Sequence, residues 1–161
     1  MKYKAKALVV DDEPTWLEIF TELLQELDIE VVNATNYNDA ITQINQNYFH
    51  LIVSDVRFVD EDDNNTQGLE IISYINEIGL GDVVTKIVIT GYGTVLMSRQ
   101  SFKEYGVFDF ISKKGPDGKG FSEDDFKQTI TSALHEKVGI NTNLVIEYVH
   151  GLSLDEMASK L

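Results

Sequence analysis

Apolar residues fall into short unbroken runs that alternate with longer periodic stretches. Ala5 to Val10 is the first run, and it stops at Asp11-Asp12-Glu13. Trp16, Ile19, Phe20, Leu23, Leu24 and Leu27 then recur at the spacing of one helix face. Pro14 stands where a first helical turn tolerates it. Residues 30–34 predict a second strand, and residues 36–47 a helix with Ala40, Ile41 and Ile44 inward. Leu51-Ile52-Val53 is a third apolar run ending at Asp55, and a helix follows over residues 69–78. Residues 86–89 predict a fourth strand ending at Thr90-Gly91, followed by a helix over residues 95–105. Residues 108–112 predict a fifth strand ending at Lys113. A fifth helix is expected over residues 122–137, with Phe126, Ile130 and Leu134 on one face.

Strand and helix thus alternate five times. Runs without a polar alternation imply strands covered on both faces. The expected fold class is therefore α/β, a doubly wound five-stranded parallel sheet with helices on both faces. Sites in such sheets lie beyond the carboxyl ends of the strands, at the point where the strand order reverses. Asp11, Asp12, Asp55, Thr90 and Lys113 occupy those ends, and this fold would bring them together.

Composition narrows the class. The 161 residues, 43% hydrophobic, suit one domain with a real core and a short appendage. Cysteine is absent, which excludes disulfides and thiolate metal sites. The run after the basic start Met1-Lys2-Tyr3-Lys4 ends at Asp11, too early for an export signal, and no window is long enough to span a membrane. A cytoplasmic protein without membrane contact is expected. The formal net charge of −14 argues against nucleic-acid binding, which rests on Lys and Arg neutralising phosphates.

Three carboxylates at neighbouring strand ends require a counter-charge, and a hard divalent cation such as Mg²⁺ takes oxygen ligands of this kind. Lys113 adds a positive charge that reaches an anion in the same pocket. Asp55 is then placed to attack a phosphoryl group, with Thr90 offering a hydroxyl to it. Each piece alone has a plainer explanation. Asp-Asp-Glu-Pro suits a helix N-terminus, Asp55 a strand cap, Thr90-Gly91 a turn, and Lys113 a solvated charge. Their joint occurrence at the ends of strands one, three, four and five favours the site.

The stretches Leu8-Val9-Val10-Asp11-Asp12-Glu13-Pro14, Ile52-Val53-Ser54-Asp55, Gly68-Leu69-Glu70, Ile89-Thr90-Gly91 and Phe110-Ile111-Ser112-Lys113 resemble the receiver domains of two-component response regulators. The resemblance covers about residues 5–137 and implies a CheY-like, flavodoxin-like fold. It implies Mg²⁺ held by Asp11, Asp12 (the direct ligand), Asp55 and the Arg57 carbonyl. It makes Asp55 the phosphoacceptor, Thr90 the switch hydroxyl, Phe110 the switch aromatic and Lys113 the phosphate-contacting lysine. The implied donor is a sensor histidine kinase or a histidine phosphotransfer protein. A homodimer partner or an output domain would receive the signal.

Three departures stand out. The interval from Asp55 to Gly68 exceeds the family's spacing by about five residues, over residues 60–67. A tolerated loop insertion is favoured there over a flap or a second metal site. Lys114 replaces the proline that usually follows the lysine in a cis bond, and a non-proline cis bond costs about 3 kcal/mol. Residues 115–120 lengthen the last loop and lack a phosphate-loop pattern. The expected division is a receiver domain over residues 1–138 and a helical tail over residues 139–161. That tail resembles the first part of a helix-turn-helix unit, and reads either as the start of an output region or as a dimerisation or docking element. His150 in it is expected at the surface. Rival functions fare worse. An Asp-nucleophile phosphatase of the haloacid-dehalogenase type needs an Asp where Arg57 stands, so the chain is not expected to be an enzyme. A flavin-phosphate loop would be repelled by Asp11-Asp12-Glu13. A receiver acting as a phosphate shuttle or sink remains the alternative to a regulator.

Overall fold

The structure, a computed structural model, describes residues 5–55, 67–91, 106–114 and 120–140. The five predicted strands are present as β1 (Ala5–Val10), β2 (Ile29–Ala34), β3 (Leu51–Asp55), β4 (Thr85–Thr90) and β5 (Asp109–Ser112). The described helices are α1 (Pro14–Glu26), α2 (Tyr37–Gln46), α3 (Gln67–Glu77) and α4 (Glu123–Ile140). The helix expected over residues 95–105 lies outside the described residues, as do the insertion up to residue 66 and the tail from residue 141.

All neighbouring strands pair in parallel, in the order β2-β1-β3-β4-β5. Successive side chains on a strand point to opposite faces, and in the inner strands β1, β3 and β4 they are buried on both, whereas the edge strands β2 and β5 are only partly covered. Leu8, Val10, Ile52 and Val88 join one core with Ala40 and Ile44 of α2 and Leu69 and Ile72 of α3. Ala7, Val9, Val53, Ile87 and Ile89 join the other with Phe20 and Leu24 of α1 and Phe126 and Ile130 of α4. This double coverage is why the strands read as unbroken apolar runs. Within α1, Leu17 is buried although the periodic set passed over it, while Trp16 and Ile19 are only partly covered.

Helix starts are set by named side chains. Asn36 accepts the Asp39 amide at 2.8 Å, and Ser122 accepts the Asp125 amide at 3.1 Å. Ser122 is thus the cap of α4 rather than its first residue. The chain turns from β1 to β2 on one side and, after α2, to β3 on the other. The reversal falls between β1 and β3, whose carboxyl ends carry Asp11 and Asp55.

Candidate functional site at the carboxyl ends of β1, β3 and β5

Asp11 directly follows β1 and is fully buried, its amide donating to the Ala34 carbonyl at 3.1 Å. Its two oxygens have different duties. Oδ1 accepts the Glu13 amide at 2.9 Å and so fixes the entry to α1, while Oδ2 lies 2.9 Å from Lys113 Nζ. Glu13, the cap residue of α1, makes no side-chain cap bond, so Asp-Asp-Glu-Pro is not a simple helix cap: one Asp11 oxygen holds the turn before the helix and the other is left to the site. Asp55 ends β3, is buried, and its Oδ2 accepts from Lys113 Nζ at 3.2 Å. Asp12 completes the group: one carboxylate oxygen each from Asp11, Asp12 and Asp55 lies within 4.8 Å of the others. Like charges that close repel by at least about 3 kcal/mol at an effective dielectric of about 20.

Lys113 reaches into this cluster from the turn after β5. Burial alone would push its ammonium to lose its proton more easily. The Asp55 charge, together with the hydrogen bond and charge of Asp11, outweighs burial and holds its pKa above the ordinary lysine value. The ammonium is thus permanently charged near neutrality. Three carboxylates against this one ammonium leave a formal −2. The donors are oxygens alone. A small divalent cation fits both the charge deficit and the donor chemistry, so the acidic cluster can hold a metal.

The other expected site residues sort as follows. Thr90 ends β4 in register with Ser112, beside the site, but its side chain lies outside the described residues, and so does all of Arg57. Phe110 is half-buried on β5 and packs against the α2–α3 core. The Lys113–Lys114 peptide bond is trans. Ser112 Oγ accepts the Lys114 amide at 3.1 Å, and the Lys114 carbonyl accepts the Gly120 amide at 2.7 Å, closing the long loop at its base. The ends of the other long segment also meet, since Ser54 Oγ donates to the Gly68 carbonyl at 3.4 Å.

The sequence assigns no place in the site to two residues that lie beside it. Glu13 Oε1 stands 3.9 Å from Lys113 Nζ, and the Trp16 ring centroid is 5.2 Å from the same nitrogen. Trp16 reads as a core position by its periodicity. Its place in the first turn of a helix that starts at the site is the signal that sets it apart.

This fold and constellation define a receiver module, and comparison with known proteins agrees. The family model described as the response regulator receiver domain matches residues 7–122. The chain belongs to that family, and its five-stranded parallel sheet is the CheY-like receiver fold of two-component systems. Response regulator protein PilR of Pseudomonas aeruginosa is 31% identical over 110 residues, covering 68% of this chain and 23% of PilR. The chain thus spans about a quarter of that relative. An uncharacterized 14.6 kDa protein of Leptolyngbya boryana is 28% identical over 106 residues, 66% of this chain and 76% of that one. Among solved structures, a CheY-like receiver domain protein of Methanospirillum hungatei superposes with a TM-score of 0.70 at 23% identity, over 84% of this chain and 98% of that one. The BeF3-activated DrrB receiver domain gives 0.65 at 24% identity, over 81% and 97%. No helix among the described residues is long and apolar enough to cross a membrane.

Proposed function

We propose that this chain is a cytoplasmic phosphoacceptor switch. It takes a phosphoryl group on Asp55 from a histidine kinase or a histidine phosphotransfer protein, in the presence of Mg²⁺, and alters its contacts with an output domain or a second copy. The observation that carries this reading is the buried Asp55 carboxylate, 3.2 Å from Lys113 Nζ and clustered with Asp11 and Asp12. An Asp55 oxygen would attack phosphorus as the bond from phosphorus to the donor's imidazole nitrogen breaks, its electron pair leaving with that nitrogen. Asp55 then holds an acyl phosphate. Lys113, already against Asp55, would turn its charge to the transferred oxygens, the main requirement of phosphoryl transfer. Asp11, Asp12, Asp55 and the Arg57 carbonyl would hold Mg²⁺, which supplies further charge neutralisation on those oxygens. Thr90 would hydrogen-bond the phosphoryl group and release the space that Phe110 enters, a shift between two existing states. The group is held once per cycle, so the chain acts as a switch and not as an enzyme.

Acetyl phosphate with Mg²⁺ should add one phosphoryl group to the intact protein, seen by mass spectrometry, and Asp55→Asn should abolish the gain. Equal labelling of that variant sinks the assignment. Asp12→Ala should weaken Mg²⁺ binding by about tenfold or more in a titration, as loss of a ligand exceeds loss of its outer supports. Unchanged affinity would place the metal elsewhere.

A further inference from the structure

The chain has one tryptophan, and it lies against the lysine of the site. Trp16 stacks on Phe20 with centroids 5.4 Å apart and meets the edge of Phe121 at 5.3 Å and 80°. Phe20 in turn stacks on Phe126 at 5.3 Å, and Phe121 contacts both. The indole is therefore fixed by a ring from α1 and one from the segment just before α4. Lys113 is drawn inward by its ion pairs to Asp11 at 2.9 Å and Asp55 at 3.2 Å, but no packing of its own fixes the stem that carries the charge. A lysine is a point charge on a flexible four-carbon stem, without the preset fork of an arginine. Glu13, whose side chain is 40% exposed, stands 3.9 Å from the ammonium and offers an outward alternative to Asp55. The indole face, at 5.2 Å, attracts the ammonium, and the Lys113 side chain is 8% exposed.

We propose that Trp16 is a positioning residue for phosphoryl acceptance: its ring keeps Lys113 directed at Asp55 rather than out towards Glu13 and solvent. This rests on Asp55 being the acceptor. Lys113 can stabilise charge developing on the transferred oxygens only if it is already in place when they arrive. Trp16 touches neither the donor nor the reacting atoms, and it acts through the lysine alone.

The test uses the whole chain with acetyl phosphate and Mg²⁺. Trp16→Leu and Trp16→Met keep an apolar side chain on Phe20 but remove the ring, and Trp16→Phe keeps a smaller one. The rate of Asp55 labelling should fall about fivefold in the Leu and Met variants, the scale of one lost cation–π contact, and recover most of that in the Phe variant. NMR supplies a reading independent of phosphoryl transfer. The Lys113 Hε protons should be shifted upfield by the ring in the unaltered protein and in Trp16→Phe, and not in the other two. Wild-type rates in both Leu and Met variants overturn the proposal, and so does a Phe variant as slow as they are. If the unaltered protein takes no label, the acceptor reading itself falls and this inference with it. That outcome is distinct from a labelled protein indifferent to Trp16.

Discussion

Lys86 is buried and Lys113 keeps all but 8% of its side chain from solvent, and the two stand at opposite ends of one sheet. Lys86, in the amino-terminal half of β4, donates to Asn76 Oδ1 at 3.0 Å and to the Gly81 carbonyl at 2.6 Å. Its own carbonyl accepts the Phe108 amide at 2.7 Å. These bonds tie the turn between α3 and β4 to the chain entering β5, and they reach only ten residues along the sequence on the α3 side. Lys113 instead meets Asp11 and Asp55, carboxylates delivered by two other strands. One lysine staples a turn. The other offsets part of a repulsion that the strand ends themselves create. Buried groups held against mutual repulsion mark sites, whereas a buried charge meeting local oxygens marks architecture.

Substituting both lysines gives the sharpest test of that contrast. Lys113→Met leaves Asp11 and Asp55 buried without their ammonium, and should lower stability by about 3–5 kcal/mol in a chelator. Added Mg²⁺ should restore more of this loss than it adds to the unaltered protein, since the cation supplies the missing charge. Lys86→Met leaves polar partners unbonded, at about 1–3 kcal/mol, and Mg²⁺ should restore none of that. Urea denaturation with and without Mg²⁺ reads both. An equal response of the two variants to Mg²⁺ would break the comparison.

The two ends should also differ in acid. His50 precedes β3 at the amino end and is 4% exposed, and burial pushes its pKa down to about 4. Well above pH 6.5 the imidazole is neutral in folded and unfolded chains alike, and stability owes nothing to pH through it. As pH falls towards 4, the unfolded chain takes up a proton that the folded one refuses. Stability is then lost, on the order of 2–3 kcal/mol, and levels off below pH 4. Lys113 has the opposite sign: its raised pKa stabilises the fold at every pH below the ordinary lysine value, and is lost only as pH rises through the folded value. His50→Gln should flatten the slope of denaturation free energy between pH 6.5 and 4 relative to the unaltered chain. An identical slope would mean that the acid response comes from carboxylates.

The sheet end that carries the site was also the more legible in the sequence. Asp11, Asp55 and Lys113 each follow an apolar run, so parallel strands alone suffice to gather them. The division of Asp11 between helix entry and ion pair was not legible, because it depends on which way each oxygen points. Trp16 reads as core in the sequence because periodicity counts apolar positions without saying what each faces. Leu17 falls outside the periodic row for the converse reason, since the buried face of α1 is wider than one row. His50 and Lys86 gave no signal. Nothing in the sequence says which polar residue beside a strand turns inward, for that is decided by the neighbouring turn. Arg57, the Thr90 side chain and residues 95–105 lie outside the described residues: the role of Arg57 and the switch role of Thr90 rest on the resemblance, and the helix over residues 95–105 on the sequence pattern.

The smallest expected effect lies at the amino end, where α1 hands over to β2. Asp28 has φ +61°, and its amide donates to the Gln25 carbonyl at 3.0 Å. It stands just past the end of α1, where glycine is the usual residue because a Cβ in the left-handed region costs roughly 1–2 kcal/mol. Its carboxylate also sits at the negative end of the helix dipole, an unfavourable term of about 0.3–1 kcal/mol. Glycine removes both terms but loses more backbone freedom on folding, roughly 0.5–1 kcal/mol. Asp28→Gly should therefore raise stability by about 1 kcal/mol. Asp28→Asn, which tolerates the same backbone and removes only the charge, should give about half of that. Asp28 borders a cavity of about 490 Å³ with His50 and His135, far from Asp55 along the strands. Neither variant should alter the rate at which Asp55 takes label from acetyl phosphate. Thermal melts and mass spectrometry on the same samples decide it. A less stable glycine variant refutes the strain argument, and a changed labelling rate would show that the two ends of the sheet do not act independently.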